Sequence, residues 1–329
     1  MIRCRIFIGL AAASLLASIL LSAAAAQGWP SRPMTMVVPF AAGGGTDIMG
    51  RIMAAGLSEQ LGQQVVVENA GGAGGMTGSY RVAKAAPDGY QFVLGTNGTH
   101  AQNQSLYKNP LYNAATDFAP VALIAEQPIG LLVRKDLPAD NLPEFIAYAK
   151  AHQTTMKYGS AGTGSAVQLS CVLFNATNGL AVTHVPYRGS APAMQDLVAG
   201  RIDYQCANVQ PALGQIESQE VKAIALLSAH RSALVPNVPT ADEQGLKDFD
   251  AIIWYALFLP KDTPAPIVRK LNAAVVATMN APAVQERMKQ IGADLVAPER
   301  RSPEYLGKLV ESEIAKWAGP IKASGVTAD

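Results

Sequence analysis

Three glycine-rich loops each follow an apolar, strand-like run and lead into a helical pattern, and this arrangement constrains the fold most strongly. The loops read AAGGGTD (41–47), NAGGAGGMTG (69–78) and GSAGTGSA (159–166). Glycine lets a backbone turn tightly, and strand–loop–helix repeats build parallel βαβ units with right-handed connections. The sequence therefore predicts an α/β protein that binds its ligand where the strands end and the helices begin.

Short β-type runs alternate with helical patterns along most of the chain. Asp47 begins the first helical pattern and is a residue type that favours the N-cap position. The predicted strands include 34–40, 64–69, 91–96, 119–126, 129–135 and 251–260, and the predicted helices include 47–62, 76–85, 142–152, 165–177 and 191–199. Because one compact core seldom organises about 300 residues, we expect two α/β domains with several chain crossings between them.

The first residues have the pattern of a secretory signal peptide. Arg3 and Arg5 precede an apolar stretch at 6–21, and small residues at Ala24 and Ala26 follow it. The alternative is a retained membrane anchor, but the stretch is shorter than the roughly 20 residues needed to span a bilayer. The pattern predicts cleavage near Ala26 and export of the mature chain to the periplasm.

Charge and cysteine content exclude some functions. Loss of Arg3 and Arg5 would change the formal net charge from +1 to about −1, which argues against a nucleic-acid partner. Cys171 and Cys206 remain in the mature chain, and in an oxidising compartment they form either one disulfide or two buried thiols. No CxxC is present and the four histidines lack ligand spacing, so no metal is predicted.

The glycine loops fit a carboxylate better than a phosphate or a catalytic oxyanion. No loop has the lysine of a P-loop, and Ile48 and Thr77 stand where a dinucleotide fingerprint needs its third glycine. Tyr158 occupies the first glycine position of a GxSxG motif, and no serine has a histidine partner that the sequence reveals. A carboxylate needs only backbone N–H groups and hydroxyls; the candidate hydroxyls are those of Thr46, Thr96, Ser160, Thr163 and Ser165.

Six segments together resemble the substrate-binding proteins of tripartite tricarboxylate transporters, the Bug (Bordetella uptake gene) family. The similarity covers essentially the whole mature chain, in the family's order. The segments are VVPFAAGGGTDIMGR (37–51), LGQQVVVENAGGAGG (61–75), APDGYQFVLGT (86–96), KYGSAGTGS (157–165), THVPYRGSAPAMQDLVAGRID (183–203) and VPTADEQG (238–245).

The resemblance implies a periplasmic protein with the type II periplasmic-binding-protein fold, in which two α/β domains close over a small organic carboxylate. It implies delivery to a membrane permease of two subunits, without catalysis, cofactor or metal, by a monomer. The predicted division is a signal peptide at 1–26, a first domain at 27–126 plus 250–329, and a second at 127–249. Hinge crossings are expected near 124–130 and 247–253.

The resemblance also assigns ligand contacts to both domains. In the family the first glycine loop (41–47) and the loop that contains Ser-Ala-Gly (159–166), here called the SAG loop, offer backbone N–H groups to the ligand's carboxylate from opposite sides. The residues implied at matching positions are Phe40, Ala42, Gly43, Gly44, Gly45, Asp47, Thr96, Asn97, Ser160, Ala161, Gly162, Thr163, Gly164, Ser165, Tyr187 and Asn208.

One departure from the family pattern bears on the ligand. Where the family often has a carboxylate followed by Asn, this chain reads Ala207-Asn208, which disfavours a ligand with an amino group. Two alternatives remain open at this point: a solute-binding protein that serves another transporter or a sensor, and an exported hydrolase.

Overall fold

The computed structural model describes residues 28–329. The predicted signal peptide at 1–26 lies outside the described residues. Within the part of the chain that the structure describes, no helix combines the length and the apolar character needed to cross a membrane.

Strands and helices alternate through most of the described chain. The strands are β1 (Met34–Val38), β2 (Val65–Asn69), β3 (Gln91–Thr96), β4 (Phe118–Arg134), β5 (Lys157–Ser160), β6 (Thr183–Pro186), β7 (Tyr204–Asn208), β8 (Val221–Leu226), β9 (Ile252–Pro260) and β10 (Asp294–Leu295). The helices are α1 (Gly45–Leu61), α2 (Met76–Ala83), α3 (Asn103–Leu106), α4 (Leu142–His152), α5 (Ala166–Thr177), α6 (Ser190–Val198), α7 (Leu213–Glu217), α8 (Ala265–Asn280), α9 (Pro282–Gln290) and α10 (Pro303–Ser324).

All ten strands belong to one mixed sheet, ordered β2-β1-β3-β9-β4-β7-β5-β6, with β8 and β10 also paired to β4. β1 is parallel to β2 and β3, as α/β crossovers require, and α1 packs its buried Met49, Met53 and Leu57 against this part of the sheet. β5 is likewise parallel to β6 and β7. The predicted α/β class is therefore confirmed.

β4 joins the two parallel regions. The sequence predicts two strands at 119–126 and 129–135, but the structure has one strand of 17 residues. Up to Pro128 it pairs with antiparallel β9, and from Ile129 it pairs with β7. The change of partner lies inside one predicted hinge crossing, 124–130, and the other, 247–253, contains the entry into β9. The division at 126/127 and 249/250 stays a prediction.

Two local predictions are corrected or completed by the structure. α1 begins at Gly45 with Gly44 at its N-cap, so the N-cap prediction for Asp47 is wrong; the carboxylate bonds back to the loop from the first turn instead. Cys171 of α5 and Cys206 of β7 are joined as a disulfide, with their Cα atoms 5.6 Å apart. This bond ties the helix after the SAG loop to the strand that ends at Asn208.

Candidate functional site

A small cavity lies where the first glycine loop faces the SAG loop; we call it the clamp cavity. Its volume is about 20 Å³. A water molecule needs about 10–15 Å³ by the same measure, so the cavity has room for little more than one water-sized group, such as one carboxylate oxygen. Three helices begin at its wall: α1 with Gly45, α5 with Ala166 and α6 with Ser190. Their partial positive charges and first-turn N–H groups favour an anion there.

The first loop is braced by a buried carboxylate. Asp47 accepts hydrogen bonds from Gly43 N (2.9 Å), Arg51 Nε (3.0 Å) and Asn69 Nδ2 (2.9 Å). Burial alone would raise the pKa of Asp47, but these three hydrogen bonds and the positive charge of Arg51 outweigh it and hold the pKa below its usual value. Asp47 therefore fixes the loop as a carboxylate, and Arg51 neutralises its charge behind the cavity.

Two of the three glycines in this loop, Gly43 and Gly45, are required by the backbone or by a close neighbour. A Cβ on Gly45 would overlap the side-chain oxygen of Asn208, whereas one on Gly44 would lie 3.8 Å from Ser190 N at the start of α6. Gly43 has a φ of +83°, in the left-handed region. The three glycines thus let the loop turn and bring its backbone against β7 and α6.

The SAG loop is held by neutral groups. Ser160 Oγ lies 2.7 Å from His184 Nε2 and accepts a hydrogen bond from Gly162 N. Ser165 Oγ donates to Gly162 O (2.7 Å) and accepts from Gln168 N as the N-cap of α5. Burial lowers the pKa of His184 to about 4, so the ring is neutral at ordinary pH. Sequence reasoning missed this partner of Ser160 because the pair forms only when β5 and β6 align.

Asn208 lines the cavity and belongs to a buried network of neutral side chains from three strands. Asn208 Nδ2 donates to Gln127 Oε1 (2.9 Å) and to the Tyr255 hydroxyl (3.0 Å), which itself donates to Gln127 Oε1 (2.9 Å). Gln127 Nε2 donates to Ile291 O (2.6 Å). The network joins β7 to β4 and β9 at the place where β4 changes partner.

The two sides of the cavity, which we call its walls, also contact each other directly; one carries the first glycine loop and the other carries the SAG loop. Ala41 N donates to Arg188 O (3.0 Å), and Arg188 Nη2 donates to Gly71 O (3.1 Å). The Tyr107 hydroxyl donates to Thr163 O (2.9 Å). Arg188 and Thr163 therefore contribute hydrogen bonds between the walls.

The predicted site residues fall into two groups. Six line the clamp cavity: Phe40, Gly44, Gly45, Ala161, Ser165 and Asn208. The other ten do not line it: Ala42, Gly43, Asp47, Thr96, Asn97, Ser160, Gly162, Thr163, Gly164 and Tyr187. Asn97 Nδ2 donates to Ile252 O, Gly164 N donates to Gln168 Oε1, and the Tyr187 hydroxyl donates to Asp196. Whether each residue contacts a ligand stays a prediction.

Five further residues line the cavity: Thr46, Ala166, Val167, Ser190 and Ile253. The sequence named Thr46 as a candidate hydroxyl for a carboxylate but not as a ligand contact, and it named none of the other four. Ala166 and Val167 directly follow the SAG loop. Ser190 and Ile253 had no signal of their own, because only the sheet order brings α6 and β9 to this place.

Two other cavities lie nearby in the fold. A chamber of about 180 Å³ adjoins the clamp cavity and shares Ser190 and Asn208 with it; we call it the tail chamber. A larger open groove of about 590 Å³ has Pro128, His230 and Lys289 among its lining residues. Of these three cavities, the clamp cavity is the one where the starts of α1, α5 and α6 meet.

Known proteins resemble the chain over most of its length. The family model described as tripartite tricarboxylate transporter family receptor matches residues 49–326. The UPF0065 protein in the TAR-I ttuE-ttuC' intergenic region of Agrobacterium vitis is 42% identical, over 92% of this chain and 87% of its own length.

Two solved structures are similar in both sequence and fold. The periplasmic binding protein BugD is 40% identical with a TM-score of 0.88, over 92% of this chain and 100% of that one. MatC from Rhodopseudomonas palustris, solved with bound malate, is 41% identical with a TM-score of 0.86, over 89% of this chain and 100% of that one. These likenesses confirm the predicted periplasmic-binding-protein fold.

Proposed function

Because the chain belongs to the tripartite tricarboxylate transporter receptor family, we propose that it is a periplasmic receptor for a small organic carboxylate. It takes the acid between its two walls and delivers it to a two-subunit membrane permease. The observation that carries the proposal is the meeting of α1, α5 and α6 at the clamp cavity. The malate bound to MatC supports a carboxylate as ligand.

Binding in this proposal works by closure. A carboxylate held by N–H groups of both walls stabilises the closed arrangement over the open one, because only the closed arrangement supplies both sets of donors. β4 and the segment that enters β9 carry the movement, since β4 pairs with both regions of the sheet and Ala251, just before β9, donates its N–H to Leu227 O. The permease then recognises the closed receptor.

An exported hydrolase has weaker support, although Ser160 and His184 lie within hydrogen-bond distance. Ser160 is not among the residues that line the clamp cavity. The lowered pKa of His184, about 4, also makes its ring a poor general base near neutral pH. The pair therefore fits a role in holding the SAG loop.

The decisive experiment compares two substitutions at Gly44. Gly44→Val places branched methyl groups toward Ser190 N across the cavity, whereas the single methyl of Gly44→Ala meets it at an ordinary distance of 3.8 Å. We expect titration calorimetry with malate and other carboxylates to show at least a hundredfold loss of affinity for the valine variant and less than tenfold for alanine. Equal affinities for wild type and Gly44→Val would remove the first loop from the site.

Two further measurements test ligand class and partner. A bound acid at 100 times its dissociation constant should add about 2.7 kcal/mol to the free energy of unfolding. Deletion of the gene should abolish uptake of that acid by cells, and wild type but not Gly44→Val should restore it. Binding of the acid without any effect on uptake would point to a sensor or another transporter.

A further inference from the structure

We propose that the tail chamber selects an acid whose far end is an uncharged hydrogen-bonding group, such as a carboxamide or a hydroxyl, over one that ends in a second carboxylate or an ammonium group. The inference rests on the proposed function, since it takes the clamp cavity as the site of the first carboxylate. It goes further by naming the class of ligand.

The tail chamber borders the clamp cavity. Ser190 and Asn208 line both, and Gly43 of the first loop also borders the chamber. An acid held by its carboxylate in the clamp cavity has this chamber open to the rest of the molecule. With about 180 Å³, against about 10–15 Å³ for one water, the chamber has room for a tail of several non-hydrogen atoms.

Amide side chains in the chamber have unused hydrogen-bonding capacity. Gln205 is 1% exposed, and its Nε2 donates to Met194 Sδ at 3.6 Å, a weak acceptor. Among residues 28–329, no group donates to Gln205 Oε1 or to Asn208 Oδ1, and Gln215 Oε1 is enclosed without a partner. Gln205 Oε1 and Asn208 Oδ1 keep free acceptor capacity and Gln205 Nε2 has only a weak acceptor, so a ligand group that both donates and accepts would bind favourably beside them.

Charge argues for an uncharged tail. Of the described residues that line the tail chamber, none carries a charge at neutral pH; they include Met194, Gln195, Gln205 and Gln215. A second carboxylate would lose its hydration there without a cation, and an ammonium group would lose it without a carboxylate. The start of α6 at Ser190 lines both cavities, and in this proposal it serves the first carboxylate at their junction.

The test uses acids of matched length on the purified full protein. Titration calorimetry compares succinamate, succinate and 4-aminobutanoate, and then glutaramate, glutarate and 5-aminopentanoate. We expect the amide acid of at least one set to bind at least tenfold more tightly than its two charged counterparts. Gln205→Leu should reduce that preference at least fivefold while leaving propionate, which has no polar tail, within twofold.

A second variant keeps the test decisive if Gln205→Leu does not fold. Gln215→Lys puts a cation at the partly exposed edge of the chamber and should shift the preference toward succinate or glutarate by at least fivefold. Gln290→Lys, an exposed change at the end of α9, adds the same charge elsewhere and should shift nothing.

The outcomes separate this inference from the proposed function. If succinate or glutarate binds wild type as tightly as the amide acid, while Gly44→Val still abolishes binding, the uncharged-tail inference fails and the receptor function stands. If none of the acids binds, or if Gly44→Val binds them as wild type does, the receptor function itself fails.

Discussion

The two loops that face each other across the clamp cavity are fixed by different chemistry. The first is held by a charged brace, in which Asp47 accepts from Gly43 N and is paired with Arg51. The SAG loop is held by a neutral serine–histidine pair, Ser160 and His184, and the helix after it is tied to β7 by a disulfide. Similar glycine-rich backbones can thus be positioned by an ion pair or by neutral hydrogen bonds, and the two should fail under different conditions.

Removal of the disulfide, which lies on the SAG side of the clamp cavity, should have the largest effect on stability. The bond closes a loop of 35 residues, and in the chain-entropy account a loop of that size contributes about 3–4 kcal/mol to the free energy of unfolding. Urea unfolding of the double variant Cys171→Ala, Cys206→Ala should show this loss. Wild type treated with a reductant should show a similar loss, and an unchanged unfolding midpoint in both would contradict the expectation.

Removal of the charged brace should have the next largest effect. Asp47→Ala leaves Gly43 N without its acceptor, removes one of the two acceptors of Asn69 Nδ2 and leaves Arg51 without its carboxylate, which should cost about 2 kcal/mol of unfolding free energy. It should also weaken acid binding, because the loop loses its fixed shape.

The matched control for Asp47→Ala is Glu68→Ala. Glu68 pairs with Arg81 on the surface, where both side chains are substantially exposed, so its loss should cost about 1 kcal/mol or less. Equal destabilisation by the two variants, measured in urea, would show that the brace contributes no more than a surface ion pair.

The smallest effect should appear as the pH falls, and the contribution of the SAG loop to stability should be the first to decrease. Burial depresses the pKa of His184 to about 4, so the unfolded chain takes up its proton first. The contribution of His184 to stability is therefore complete above about pH 6.5 and is lost as the pH falls toward 4. The pKa of Asp47 is also depressed, but the contribution of that carboxylate is lost only below about pH 4.

The measurement is thermal unfolding of wild type and His184→Gln at several values between pH 7 and 4. The variant should lose less stability over this window, although the fully buried His100, whose burial lowers its pKa to about 3, keeps part of the slope in both proteins. Down to about pH 5.5 the difference should be smaller than the effect of Asp47→Ala, because His184 is only partly enclosed and only part of its pKa shift has been crossed. Identical pH profiles would exclude His184 as the acid-sensitive group of the SAG loop.

Periodicity and turn residues were enough to predict most of the sheet. They divided β4 in two because Gln127 and Pro128 interrupt its apolar pattern, although Pro128 still pairs with Ile252 at the change of partner. They also placed Asp47 at the N-cap, where the structure has Gly44. A sequence shows which residue types favour a cap, but the loop's own hydrogen bonds decide which residue occupies it.

The site was predictable where its residues adjoin a loop motif. Gly44, Gly45 and Ala161 line the clamp cavity as the loops suggested. The His184 partner of Ser160 and the network of Asn208 with Gln127 and Tyr255 were not predictable, because they depend on strand register and strand order. Contacts between residues 24 to 128 positions apart leave no local pattern to read.

The clamp cavity offers backbone dipoles to an anion, and this determines how binding depends on salt concentration. A lysine or arginine near solvent attracts anions over a distance at which other ions compete, and that attraction decays within about 8 Å at physiological ionic strength. In the described chain, the residues that line the clamp cavity carry no formal charge, so its N–H groups act at hydrogen-bond range. The proposed receptor would therefore hold its acid with little dependence on ionic strength, in dilute and in saline surroundings alike.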